Sequence, residues 1–157
     1  MSSKRPGTIL IVDDDKSIRT TIAAILEQEG YDVVTAENGA EAIEKSNNKF
    51  FDLALVDMRL PDMMGSELLG AMKETVPKMA KIIVTGHPSM QNAIAAVNEG
   101  ADGYVLKPVD AEVLLKEIRK HLQRREEATS YSEQKVAEFI ETRAKELGRR
   151  NPGVSPA

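Results

Sequence analysis

Short apolar runs rich in β-branched residues alternate along the chain with longer stretches of helical periodicity. The runs are TILIV (8–12), DVVT (32–35), DLALV (52–56), KIIVT (81–85) and GYVL (103–106). Several are apolar almost throughout, the pattern of strands covered on both faces. Between them, Ile18, Ile22, Ile25 and Leu26 form one stripe at helical spacing and Leu68, Leu69 and Met72 a second; Ile94, Val97 and flanking alanines form a third, narrower one. Gly30, Gly39, Gly65 and Gly100 punctuate the boundaries, and Asn38, Ser89 and Asp110 stand where helix N-caps are expected. Each parallel βα connection requires a right-handed crossover, so this alternation predicts a doubly wound α/β domain: a five-stranded parallel sheet with helices on both faces.

The pattern changes after the fifth unit. AEVLLKEIRKHL places Val113, Leu114, Ile118 and Leu122 at the apolar positions of a fifth helix, and QRREEATS then interrupts the apolar spacing. SEQKVAEFIETRAKELG brings Val136, Phe139, Ile140, Ala144 and Leu147 onto one face, which predicts an additional C-terminal amphipathic helix. A heptad frame carried on from Leu115, Ile118 and Leu122 meets Arg125, Thr129 and Ser132, so the expectation is a break near 125–131 and a separate helix packed on a face of the domain. The expected organisation is a flexible N-terminus over 1–7, an α/β domain over 8–124, a helical extension over 125–148 and a disordered tail over 149–157.

Composition narrows the function classes. With 157 residues, 41% of them hydrophobic, the chain can bury one ordinary core. A net charge of -4 argues against a direct nucleic-acid binder, which needs a basic face. There is no cysteine, hence no disulfide or thiolate metal site, and the apolar run after MSSKRPG is too short for a signal peptide or membrane span. The expected compartment is the cytoplasm.

The candidate chemistry lies where the strands end. Ligands of open α/β sheets bind at the carboxyl ends of the strands, where strand order reverses. The first run ends in Asp13, Asp14 and Asp15, the third in Asp57, the fourth in Thr85-Gly86, and the fifth in Lys107-Pro108. If strands one, three, four and five are neighbours, Asp13, Asp14, Asp57, Thr85 and Lys107 converge. Clustered carboxylates repel one another and call for a cation, and hard oxygen donors suit Mg2+. A metal, a lysine and a hydroxyl around one carboxylate are the parts of a phosphoryl-transfer site, with Asp57 as the nucleophile that forms an acyl phosphate.

Together VDDD (12–15), DMRLPDMMG (57–65), TG (85–86) and YVLKP (104–108) resemble the receiver domain of two-component response regulators, the family of chemotaxis and sporulation phosphorelay receivers. The resemblance covers about residues 8–123 and implies a flavodoxin-like strand order 2-1-3-4-5. It implies Asp57 as phosphoacceptor, Asp13 and Asp14 as the acid pair for Mg2+, and the Arg59 carbonyl as a further metal ligand. Lys107 becomes the phosphate counter-ion, Thr85 and Tyr104 the switch pair, and the bond before Pro108 a cis peptide. Asp15 reads as a cap of the first helix, and His87 and His121 as surface residues. The implied partners are a sensor histidine kinase or phosphotransfer protein and a downstream protein of unknown identity, with a homodimer through the helix-four to helix-five face as a further expectation. Such a protein is a signalling module rather than an enzyme, either standing alone or as part of a longer regulator. A rival exists: LIVDDDKS also fits the opening of the haloacid-dehalogenase-like phosphatases, with Asp13 as nucleophile and Asp15 as acid/base. That reading lacks an acidic strand end after Lys107 and leaves Asp57 without a role.

Overall fold

The computed structural model describes residues 7–72, 74–75 and 77–150. Its elements run β1 (Thr8–Val12), α1 (Lys16–Gln28), β2 (Asp32–Ala36), α2 (Gly39–Asn48), β3 (Leu53–Asp57), α3 (Gly65–Ala71), β4 (Ala80–Thr85), α4 (Met90–Asn98), β5 (Gly103–Leu106) and α5 (Ala111–Arg150). The strands form one parallel sheet in the order β2-β1-β3-β4-β5. The order reverses between β1 and β3, and the register sets Val12 beside Val56 and Asp57 beside Val84. The strand ends that carry the acids are thereby level with one another.

Side-chain alternation divides the core in two. Leu10, Val12, Ala54, Val56 and Ile83 face Ala42 of α2, Leu68 and Leu69 of α3 and Ala96 of α4. Ile9, Ile11, Leu53, Leu55, Ile82 and Val84 face Ile22 and Leu26 of α1 and Leu114 and Ile118 of α5. Burying such side chains on both faces contributes about 1.5–3 kcal/mol each before the entropy of ordering them. Helix starts are fixed locally: Asp15, Asn38, Ser89 and Asp110 accept from the amides of Ile18, Glu41, Asn92 and Val113 at 2.8–3.1 Å. The Lys107–Pro108 peptide is cis.

Three expectations are corrected. The chain from 111 to 150 is one helix of 40 residues with no break at 125–131. QRREEATS lacks apolar positions but also lacks Gly and Pro, and its Gln, Arg, Glu and Ala are good helix formers, so its polarity marks a solvated helix rather than a turn. Nor does the extension pack on the domain: Val136, Phe139, Ile140 and Leu147 are 52–67% exposed. Its anchor is Arg125, whose Nε donates to the Lys78 carbonyl at 2.7 Å and whose Nη1 lies 3.1 Å from Asp52. Secondly, the α4 stripe does not face the core. Ala96 is buried there, while Ile94 and Val97 are 52% and 68% exposed, so the alanine side of the helix meets the sheet. Thirdly, His121 is buried, with Nε2 3.1 Å from Glu117 one turn earlier. The expected flexible segment over 1–7 and disordered tail over 149–157 fall outside the described residues, apart from Gly7 and the backbone of 149–150. Among the described residues no helix is long and apolar enough to cross a membrane.

Candidate functional site at the carboxyl edge of the sheet

Asp13 follows the last residue of β1 and is buried. Its amide donates to the Ala36 carbonyl at 3.1 Å, its Oδ1 accepts from the Asp15 amide at 2.9 Å, and its Oδ2 accepts from Lys107 Nζ at 2.8 Å. Asp57 closes β3 and is also buried, with Oδ2 3.3 Å from the same ammonium. Asp14 is exposed beside them, and one carboxylate oxygen from each of Asp13, Asp14 and Asp57 lies within 4.8 Å of the others. Lys107 thus bridges the ends of β1 and β3 from the end of β5. Its backbone amide is bound to the Thr85 carbonyl at 2.8 Å.

The electrostatics of this group are lopsided. Burial, then the neighbouring charge of Asp13, push the Asp57 carboxyl above its ordinary value, and Lys107 opposes them only in part. Burial alone would lower Lys107, but its hydrogen bond and charge contact with Asp13, and then with Asp57, outweigh it and hold the ammonium above its ordinary value. The two shifts agree once the distances are considered, since the shorter bond of Lys107 goes to Asp13. Asp57 is left with a share of one cation and two acidic neighbours. Three hard oxygen donors with a surplus of negative charge fit a small divalent cation, and Mg2+ in particular, which keeps much of its water shell.

The loop after β3 folds back on the strand. Leu60 donates to the Met63 carbonyl at 3.0 Å, Arg59 bridges to Met64, and the Gly65 amide donates to the Met58 carbonyl at 2.6 Å. A Cβ on Gly65 would collide with the Asp57 carbonyl oxygen, so only glycine lets α3 start this close to the acidic strand end. Thr85 is buried at the end of β4, and its hydroxyl accepts from the His87 amide at 3.0 Å. Tyr104, on edge strand β5, buries its hydroxyl without a hydrogen-bond partner among the described residues. The structure therefore gathers Asp13, Asp14, Asp57 and Lys107 through side-chain proximity, places Thr85 beside them through the backbone, and leaves the Thr85 and Tyr104 hydroxyls unjoined.

The family model for the response regulator receiver domain matches residues 9–119. The chain belongs to this receiver family. The receiver is 36% identical over 142 residues to the transcriptional regulatory protein GlrR of Escherichia coli K12, covering 90% of this chain and 31% of that one. It spans about a third of the length of that curated relative. It is 46% identical to a CheY-like response regulator receiver domain from Methanospirillum hungatei JF-1, with a TM-score of 0.73 over 77% of this chain and 97% of that one. It is 35% identical to the beryllofluoride-activated NtrC4 receiver domain dimer, with a TM-score of 0.70 over 75% of this chain and 98% of that one. The match is to the receiver family, not to the haloacid-dehalogenase-like phosphatases whose opening LIVDDDKS also fits. The acidic cluster of this receiver agrees with the family's use of acidic residues to bind Mg2+.

Two kinds of residue around the site were not singled out by sequence. Arg19 is buried with Ile22 and Leu26 in α1, and Asp62 in the loop after β3 reaches the start of α2. The first had a signal, a charge at i−3 from an apolar-stripe residue. The second had none, because its partners are backbone amides 22 and 23 positions away.

Proposed function

We propose that this receiver is phosphorylated on Asp57 by a sensor histidine kinase or a phosphotransfer protein, and that the modified form presents a changed surface to a downstream protein. The observation that carries the reading is the single ammonium of Lys107 shared by Asp13 and Asp57 at the level ends of β1 and β3. An Asp57 oxygen attacks phosphorus, the P–N bond of phosphohistidine breaks, and the imidazole nitrogen leaves with the electron pair. Asp13, Asp14, Asp57 and the Arg59 carbonyl are the groups that would hold Mg2+. Bound there, the ion supplies charge neutralisation on the phosphoryl oxygens. Lys107 then exchanges part of its carboxylate contact for the phosphoryl group, and Thr85 turns its hydroxyl from the His87 amide toward the same anion.

The proposed switch follows from Tyr104. Its buried hydroxyl is unsatisfied, which costs about 1–3 kcal/mol and leaves the observed packing open to displacement by a modest input. Movement of Thr85 and Tyr104 alters the face made by α4, β5 and α5. Met90, Ile94 and Val97 of α4, Leu106 of β5 and Val113 of α5 are all exposed there, more apolar surface than a solvated face requires, and this supports a docking role. The occupant is a target protein or a second copy of the receiver. On this reading the protein is a cytoplasmic signalling module and not a turnover enzyme, with the domain over 8–124 and the helical extension as separate functional parts, alone or within a longer regulator.

Acetyl phosphate supplies the test. Intact-mass analysis should show one phosphoryl adduct on the wild type with Mg2+, none with a chelator and none on Asp57→Asn. An undiminished adduct on that variant would assign the acceptor elsewhere.

A further inference from the structure

The sheet alone fixes only part of the acid site. Pairing of Val12 with Val56 levels Asp13 and Asp57, but Asp14 and Arg59 lie on loops that have left the strands. Both loops are tied to one place, the N-terminal corner of α2. From the β1 side, Arg19 Nη1 donates to the Asp13 carbonyl at 2.8 Å, and Nη2 lies 3.3 Å from Glu37 Oε1 in the turn before α2. The Arg19 side chain is 11% exposed and Glu37 67%. A buried guanidinium is costly unless paired, and an apolar residue would fill the α1 stripe more cheaply, so packing does not explain this arginine.

From the β3 side, Asp62 accepts from the Gly39 amide at 2.8 Å with one oxygen and from the Ala40 amide at 2.9 Å with the other. These are first-turn donors of α2 that have no intrahelical partner. The next is already capped locally, by Asn38 on the Glu41 amide at 2.8 Å, while Glu41 returns a bond to the Glu37 amide at 3.1 Å. Asp62 thus completes the cap from another loop, at the end of the helix where negative charge is favoured. The contact is close-packed as well: a Cβ on Gly39 would overlap the Met63 side chain.

We propose that the N-terminal corner of α2 is the common anchor of both arms of the metal site, with Arg19 and Asp62 as positioning residues that hold the Asp13–Asp14 turn and the Arg59 loop at the spacing Mg2+ requires. This rests on the reading of the acid cluster as the Mg2+ site. Mg2+ tolerates little departure from octahedral geometry, and groups that orient its ligands typically alter affinity by about 10–100-fold.

Calorimetric titration of the full chain with MgCl2, alongside thermal melts, tests the anchor. Asp62→Ala removes both bonds from an exposed loop position, and Arg19→Lys keeps the charge but cannot reach both partners; each should raise the Mg2+ Kd by about tenfold. Asp62→Asn, which retains one carbonyl oxygen, should fall between Asp62→Ala and the wild type. Leu26→Ala, in the α1 core and remote from the acids, should lower the melting temperature and leave the Kd unchanged. An Asp62→Ala Kd within twofold of wild type overturns the proposal, as does a Leu26→Ala Kd raised by the same factor. Failure of the wild type itself to bind Mg2+ would instead overturn the reading of the acid cluster, and the anchor with it.

Discussion

Replacing Asp57 by Asn should stabilise the metal-free protein, although it removes an ion pair. With its oxygen 3.3 Å from Lys107, the carboxylate gains about 5 kcal/mol of attraction at an effective dielectric near 20, and Asp13 within 4.8 Å returns about 3.5 kcal/mol of repulsion. Asp14, exposed and screened, adds to the repulsion. The Coulomb terms nearly cancel, and the desolvation of a buried carboxylate sets the sign, in line with its raised pKa. With one side of the site open to water, the net gain expected for the Asn variant at neutral pH is about 1–2 kcal/mol, or roughly 3–6 °C in Tm. The pH dependence follows from the same shift. Between its ordinary value of 3.8 and its raised folded value, folded Asp57 binds more protons than the unfolded chain, so wild-type stability relative to the variant falls as pH rises through that window. The advantage of the variant should vanish below the ordinary value and level off above the raised one. Circular-dichroism melts in EDTA from acid to neutral pH measure it, and added Mg2+ should narrow the gap by binding the wild type more tightly. Equal or lower melting of the Asn variant in EDTA at pH 7 would refute the reasoning.

Tyr104→Phe removes an unsatisfied buried hydroxyl and should raise stability by about 1 kcal/mol, read as a Tm increase of roughly 3 °C; a decrease would mean the hydroxyl has a partner in solution. Arg125→Ala severs the bonds to Lys78 and Asp52 and should cost about 1 kcal/mol without loss of far-UV helicity, measurable by urea titration. Deleting residues 134–157 should reduce helicity yet leave the Tm within about 1 °C, because Val136, Phe139, Ile140 and Leu147 are exposed; a drop of several degrees would show that the extension does pack on the domain. Asp62, held below the ordinary carboxylate range by the Gly39 and Ala40 amides, supports the fold above its unfolded pKa and should lose that support as pH falls through its lowered folded value, so Asp62→Asn and wild type should converge in Tm under strong acid.

The strands, the helix caps and the acids at the strand ends were legible in the sequence because each is a short-range property. A β-branched apolar run reads as a strand buried on both faces, and an Asx or Ser side chain caps an amide three residues on, as Asp15, Asn38, Ser89 and Asp110 do. The convergence of Asp13, Asp57 and Lys107 was legible only through the motif resemblance, which implied the strand order that the sheet has. Local pattern failed where two outcomes share one composition. A polar octapeptide of helix formers suits a linker or a solvated helix, and the 40-residue α5 shows the second. Alternation could not tell which side of α4 is covered: Ala96 is buried in the core while Ile94 and Val97 are exposed. Nor could spacing show His121 inside or the Tyr104 hydroxyl unpaired. The bonds of Arg19 to the Asp13 carbonyl and of Asp62 to the α2 amides join groups that become neighbours only when the sheet orders its loops along one edge. The sequence determined which acids and which lysine stand at the strand ends, and the tertiary structure decided what holds them in place, because backbone donors and acceptors are the same at every position until the fold chooses among them.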